Sequence, residues 1–263
     1  MRRLILRPGA IGDFIVSLPA LESLRAEYTE LWTTSAVMPL AGFADCVRSI
    51  QQTGIDTFAL PGLSVSGELV QTLKSFDSIV SWYGAQRPEF RAAMQELGLP
   101  VRFHEALPSG PQHATDFYLR QVGAPEGAIP RIPTAAAKRD FAVIHPFSGS
   151  ARKNWPIGLF RQVAAALPLE VKWTAGPDEP LEGATRFDNL RDLAEWIAAA
   201  RLYIGNDSGI THLAAAVGTP VVAIFGPTDP MVWAPRGAHA RVIRNPVDAE
   251  AVAELARAQI RED

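Results

Sequence analysis

Three short loops carry residue types that could do chemistry, and each lies where an apolar run gives way to a helical pattern. The first is Asn206-Asp207-Ser208-Gly209, between the apolar Leu202–Ile204 and the helical spacing of Ile210–Val217. Asp207 or Ser208 can cap that helix, and Gly209 lets a ligand come close to the backbone. The free amides of a helix's first turn carry partial positive charge, which makes them a seat for a phosphate group. His212 falls near that turn and could donate a hydrogen bond to the same anion. A plain strand-to-helix turn with a capping Asp would read the same way from local sequence alone.

The second loop runs from His145 to Pro156 and supplies Ser148 and Ser150 followed by the cations Arg152 and Lys153. Small hydroxyls followed by two cations suit a diphosphate, and the alternative is a solvated basic loop. Both loops leave the C-terminal ends of strands, where open α/β sheets bind ligands. The third loop, Pro8–Asp13, spaces its glycines Gly9-x-x-Gly12, not G-x-G-x-x-G. No acidic residue ends the second strand at Leu31–Ser35, so hydride transfer with a dinucleotide is disfavoured. What this loop offers is Asp13, a carboxylate at a helix start that is either a group facing a cleft or a helix N-cap. The few histidines show no ligand spacing such as H-x-x-x-H, so no metal is expected.

Positioning these loops takes an α/β array. Strands are expected at Leu4–Arg7, Leu31–Ser35, Thr57–Leu60 and Ile79–Trp82. Helices are expected at Phe14–Arg25, Glu68–Ser75, Pro88–Leu97 and Thr115–Val122. Gly123–Lys138, with Pro125, Pro130 and Pro133, reads as a linker and a hinge for closure. Beyond it the alternation restarts, with strands at Phe141–His145, Val171–Thr174, Leu202–Ile204 and Val221–Phe225. Helices fall at Trp155–Leu167, Leu190–Ala200, Ile210–Val217 and Ala249–Ile260. The expected organisation is two α/β units, residues 1–130 and 131–263, with mostly parallel sheets and a cleft between them.

Composition agrees with a globular chain: 263 residues, 48% hydrophobic and 20% charged. A net charge of -3 gives no general reason to bind nucleic acid. The single cysteine, Cys46, cannot form an internal disulfide and reads as a small buried apolar residue in a reducing compartment. No stretch approaches the ~18 apolar residues of a spanning helix. The N-terminal apolar run breaks at Arg7-Pro8-Gly9 without a cleavage site, so it reads as a first strand. The expected location is the cytoplasm, with peripheral membrane contact only through a substrate.

The three loops together resemble glycosyltransferase family 9, the ADP-heptose lipopolysaccharide heptosyltransferases and their relatives. The resemblance is carried by Arg7–Asp13 with Leu18-Pro19-Ala20-Leu21, and by His145-Pro146, Ser148-Gly149 and Lys153–Pro156. Its longest part is Asn206–Gly209, His212–Ala215, Gly218-Thr219-Pro220 and Phe225–Pro230. It implies a GT-B fold, meaning two Rossmann-like domains with the active site between them. The C-terminal domain would hold a nucleotide-sugar, ADP-linked, and the N-terminal domain a glycan or lipid-linked glycan acceptor. Transfer would invert the anomeric centre with no metal or other cofactor. Asp13 would be the general base. Lys153, Ser148 and the amides around Ser208 and Gly209 would hold the diphosphate. Asp207 and His212 would line the donor pocket together with Gly12, and Glu179 would reach the ribose or base.

Two features depart from that family. Both domains are trimmed, and between Ala26 and Leu73 the only basic residue is Arg48. Phosphate recognition relies on Arg and Lys, so a strongly phosphorylated acceptor is not expected in that part of the chain. Two rival readings share the same donor pocket: a sugar-nucleotide epimerase or hydrolase, and a non-catalytic nucleotide-sugar-binding relative.

Overall fold

The computed structural model describes residues 1–60 and 66–262. The first unit contains β1 (Arg2–Leu6), α1 (Ile11–Ser23), β2 (Tyr28–Thr33), β3 (Cys46–Ser49) and α2 (Gly67–Lys74). It continues with β4 (Ser78–Ser81), α3 (Pro88–Glu96), β5 (Val101–Phe103) and α4 (Ala114–Gln121). The second contains β6 (Phe141–His145), α5 (Ile157–Ala166), β7 (Glu170–Trp173), α6 (Leu190–Ala198) and β8 (Leu202–Asn206). After it come α7 (Gly209–Ala216), β9 (Val221–Phe225), α8 (Pro230–Trp233), β10 (Ala240–Arg244) and α9 (Ala249–Glu262).

Each unit is built on a five-stranded sheet, ordered β3-β2-β1-β4-β5 and β10-β9-β8-β6-β7, and all described pairings are parallel. A parallel sheet is covered on both faces, which is why its central strands are continuous apolar runs such as Leu4-Ile5-Leu6 and Val221–Phe225. Alternate residues serve different layers: Leu4 and Leu6 pack with Trp32, Ile79 and Phe90, while Ile5 packs with α1 and α4. Strand order reverses between β1 and β4 and between β6 and β8, and loops at such switch points form ligand crevices.

The two inner faces share one apolar cluster, in which Phe14, Ile15 and Leu18 of α1 join Leu213, Ala214 and Ala215 of α7. The first turns of these helices abut. A Cβ placed on Gly209 would lie 2.7 Å from Ile11 Cβ and 2.9 Å from the Gly12 amide nitrogen. On the other side of the units, Arg236 pairs with the Asp116 carboxylate of α4, and His113 Nε2 donates to Ala234 O at 3.0 Å. The linker is tied down, with Ile132 N donating to Ala216 O (2.9 Å) and Arg191 Nη1 to Pro133 O (2.9 Å). Gly127 N donates to Asp116 Oδ1 at 2.8 Å and Ala128 O accepts from Arg236 Nη1 at 3.3 Å, so adjacent linker residues are tied to α4 and to the second unit.

Several sequence-based elements change. Thr57–Leu60 is not a strand: Ala59 has φ 63° and Leu60 N turns back to Thr57 O. The edge strands β3, β5 and β10 and the short α8 were not expected. Helix α1 begins at Ile11, earlier than the expected Phe14, and runs through Pro19. Cys46 is half-buried on edge strand β3, not in the core.

Two outcomes follow from the contacts between units. Gly209→Ala drives a methyl group into backbone that cannot rotate away, an overpacking cost of about 1–3 kcal/mol, so thermal unfolding should shift down by several degrees. Arg236 holds the Asp116 carboxyl down to about 2, below its usual 3.8. The pair therefore stabilises fully above pH ~4 and fades as pH falls through ~2. Arg236→Ala should cost about 2 kcal/mol near neutrality, and its deficit against wild type should shrink at pH ~2 in denaturant titrations.

Candidate active site

Loops from both units enclose a cleft of about 490 Å³, walled on one side by Ala10, Ile11, Gly12 and Ala36. Facing them are the loops after β6, β7 and β8. At its base is the N-terminus of α7, where Ser208 Oγ accepts from Thr211 N at 3.4 Å. Ser208, not Asp207, is therefore the cap, and the amides of Gly209 and Ile210 are left without helical partners. Asn206, wholly buried, holds this end of β8 to the neighbouring loop. Its Nδ2 donates to Pro146 O (2.7 Å) and its Oδ1 accepts from Trp155 N (3.0 Å).

Asp207 is buried and takes Lys153 as its partner, Nζ to Oδ2 at 2.8 Å. One charge thus anchors the cation of the His145–Pro156 loop beside the α7 terminus. His212 is also buried, and burial pushes its imidazole down to about 4, with Asp207 opposing and His113 and Lys153 adding to the shift. It is a neutral hydrogen-bonding group at physiological pH. Its Cδ2 stands 3.4 Å from where a Gly12 Cβ would be, so it packs under the α1 loop. Ser148 Oγ engages Ser150 O (2.7 Å) and Asn154 Oδ1 (3.0 Å), which shapes the loop from within.

At the other end of the cleft, Glu179 Oε2 accepts from the Gly176 amide (2.6 Å) and bonds His145 Nε2 (2.9 Å). Burial alone would raise the Glu179 carboxyl, but His145, the Gly176 amide and Arg186 together hold it below its ordinary value. Arg186 also ties the turn from its far side, Nη2 to Glu179 O at 2.7 Å. Phe187, Leu190 and Leu193 add an apolar wall. A polar base at one end and an apolar wall with one fixed carboxylate at the other match a phosphate group joined to a nucleoside.

Asp13 occupies the third position of α1, behind the N-cap Ala10, and its Oδ2 accepts from Ala10 N at 3.3 Å. Arg7 braces this turn from below while almost wholly buried. It donates to Asp13 O (3.0 Å), Pro8 O (3.0 Å) and Ser17 Oγ (3.1 Å), and its guanidinium lies 4.7 Å above the Tyr118 ring. Burial raises the Tyr118 phenol to about 12, the nearby Asp13 adding and Arg7 opposing.

Of the residues expected from sequence, Gly12, Ser148, Glu179, Ser208 and Gly209 line the cleft. Lys153, Asp207, His212 and Asp13 are not among the residues that line it. Sequence reasoning gave no role to His145, Asn206, Arg186 or Arg7. Their positions beside the motifs were the available signal, but their partners lie elsewhere in the chain. Among the described residues no group of three or more His, Cys, Asp or Glu is placed to hold a metal ion, and no helix is long and apolar enough to cross a membrane. Another cavity of about 540 Å³, where the linker crosses α7, has none of the motif loops in its wall.

Comparison with known proteins bears on this cleft. Residues 181–261 match the family model for glycosyltransferase family 9 (heptosyltransferase). The chain is 32% identical over 120 residues to lipopolysaccharide heptosyltransferase 3 of Escherichia coli, covering 38% of this chain and 35% of that protein. It is 38% identical over 96 residues to lipooligosaccharide heptosyltransferase 2 of Haemophilus influenzae, covering 36% and 25%. These matches span about a third or less of the curated relatives' length. The whole fold superposes on a family 9 glycosyltransferase from Veillonella parvula with a TM-score of 0.76 at 18% identity, covering 100% of this chain and 97% of that one. It also superposes on the E. coli heptosyltransferase WaaC solved with ADP, with a TM-score of 0.69 at 19% identity, covering 98% and 100%. These two likenesses establish the two-domain GT-B fold. Matched by the family model over residues 181–261, by sequence over about a third of its length and by fold from end to end, the chain is similar to the heptosyltransferases of glycosyltransferase family 9.

Proposed function

We propose that this chain is an inverting glycosyltransferase that moves a sugar from an ADP-linked nucleotide-sugar to a glycan or lipopolysaccharide-type acceptor. The observation that carries the reading is the abutment of α1 and α7 at Gly12 and Gly209. Asp13 is the acidic residue of α1's first turn, and that turn meets a helix terminus suited to phosphate. Residues 131–263 then hold the donor and residues 1–130 the acceptor. Heptose, ADP and the lipopolysaccharide setting are taken from the relatives' names and from the WaaC structure with ADP.

In this mechanism negative charge builds on the diphosphate as the sugar–phosphate bond breaks. The Gly209 and Ile210 amides and Lys153 stabilise that charge, each well-placed donor contributing about 2.7–4 kcal/mol. Lys153 is held ready by Asp207, which faces it from within. Gly12 lets the two backbones close over the donor, and His212 supports that contact as a neutral group. Glu179, fixed through one oxygen by Gly176 and His145, keeps its second oxygen for ribose or base. Asp13, tethered through one oxygen to Ala10, uses the carboxylate to take the proton of the attacking hydroxyl, worth roughly 10²–10⁴-fold. No metal or cofactor takes part. The enzyme would work in the cytoplasm and meet the membrane only through its acceptor.

Two measurements test this. In a thermal-shift panel of ADP, UDP, GDP, CDP and dTDP, ADP at 100 times its dissociation constant should add ~2.7 kcal/mol of stability. Lys153→Ala should lose most of that ligand-induced gain, compared with its own ligand-free baseline because Asp207 is left unpaired. Asp13→Asn should retain ADP binding while transfer falls at least a hundredfold. Release of free sugar or an epimer without acceptor would favour the hydrolase or epimerase reading, and an Asp13→Asn variant with the wild-type transfer rate would remove Asp13 from the mechanism.

A further inference from the structure

We propose that the open β5 edge of the first sheet is a second, phosphate-binding groove, in which Arg3 and Arg102 anchor the phosphate of a hydroxyl-rich phosphomonoester such as a polyol phosphate. This inference stands independently of the donor cleft.

Register places the anchors. Arg3 pairs with Ser78, and Ile5 with Val80, which in turn faces Arg102 on β5. Parallel neighbours point the same way and side chains alternate, so Arg3, Arg102 and His104 share the face that α1 and α4 cover. Those helices cover β1 and β4 but leave β5 open. Leu24 at the end of α1 and Val122 at the end of α4 wall a cavity of about 490 Å³ that Arg3, Arg102 and His104 line.

The cavity wall carries two guanidiniums against a single carboxylate. Arg102 is exposed and makes no hydrogen bond or ion pair among the described residues. Arg3 Nη1 donates only to the neutral Leu24 O (2.7 Å), and its Nε is buried without a partner. The one carboxylate in the wall, Asp77, accepts from the Arg2 amide at 2.7 Å and leaves the cavity with a net positive charge. Burial and the charge of Arg102 both lower the Arg3 and His104 values, so the three groups crowd one space at mutual cost. A dianion would turn that repulsion into charge-assisted hydrogen bonds with a forked donor geometry.

The groove continues. His104, stacked 5.1 Å from Trp82, also lines an adjoining space of about 340 Å³ with Gln112 and Gln121. Gln112 Oε1 is buried there with no partner. That leaves an acceptor for a ligand hydroxyl on the side that leads toward His113 and the other unit. Cationic anchors at one end and an unpaired carbonyl at the other define a phosphate joined to a hydroxylated chain.

The probe is glycerol 3-phosphate, titrated into the 263-residue chain while the resonances of Leu24, His104 and Val122 are followed by NMR. Saturable shifts at these three are expected. Arg102→Gln, a change at an exposed side chain, should weaken binding about tenfold or more, and Lys153→Ala should leave it unchanged. Shifts confined to Ser208 and Gly209, or wild-type affinity in Arg102→Gln, would overturn the proposal. Co-sedimentation with phosphatidylcholine vesicles containing phosphatidic acid, a lipid-borne phosphomonoester, separates the sources. Retention lost in Arg102→Gln assigns a lipid-borne headgroup, and soluble binding without retention assigns a free polyol phosphate.

Discussion

The contact between the first turns of α1 and α7 sets the distance between the two sheets, and it exists because two positions lack a side chain. With Gly209 facing the Gly12 amide, backbone meets backbone, and a methyl group at Gly209 would stand within 2.7 Å of Ile11. Close approach of this kind brings two sets of unsatisfied amides to one crevice, which is electrostatically unfavourable unless an anion joins them. The apolar cluster beneath supplies the cohesion that holds them there: Phe14, Leu18, Leu213 and Ala214 are fully buried. Burial at roughly 25 cal/mol per Å² outweighs the repulsion of a few partial charges.

Buried polar groups then fix the loops around the contact. Asn206 spends both ends of its amide on neighbouring backbone, and Arg7 spends its donors on two carbonyls and a hydroxyl. Asp207 and Lys153 form a half-buried pair whose value is placement more than stability, since desolvation offsets much of the attraction. The segments that face the cleft are rigid because their polar groups are satisfied from behind, which leaves the α7 amides and one oxygen each of Asp13 and Glu179 for something else.

Much of this was legible in the sequence. The strands β1, β4, β6 and β9 and helices α3, α5 and α7 announce themselves by apolar runs and spacing, and the three loops stand out by composition. The edge strands did not. β3, β5 and β10 are short and interrupted by Arg48, Arg102, Arg241 and Arg244, which a half-exposed edge tolerates and an apolar pattern cannot reveal. Thr57–Leu60 reads as extended by residue type, yet tertiary packing of Phe58 against Phe90 favours a turn. The site showed the same division. Asp13, Ser208 and Gly209 follow from local helix chemistry, whereas the roles of His145 and Asn206 depend on Glu179, Pro146 and Trp155, partners brought together only by the sheet.

The shared inner cluster also governs how this protein can be recombined. Since α1, α4, α6 and α7 contribute to one continuous interior, the second unit has no sealed surface of its own. Cutting at the linker would expose Leu213, Ala214 and the face of α6 to water and invite association through that patch. A chimera that borrows this half from a relative inherits a lock cut for another key. It must bring along the matching side of α1, from Ile11 to Leu18, or repack the seam residue by residue.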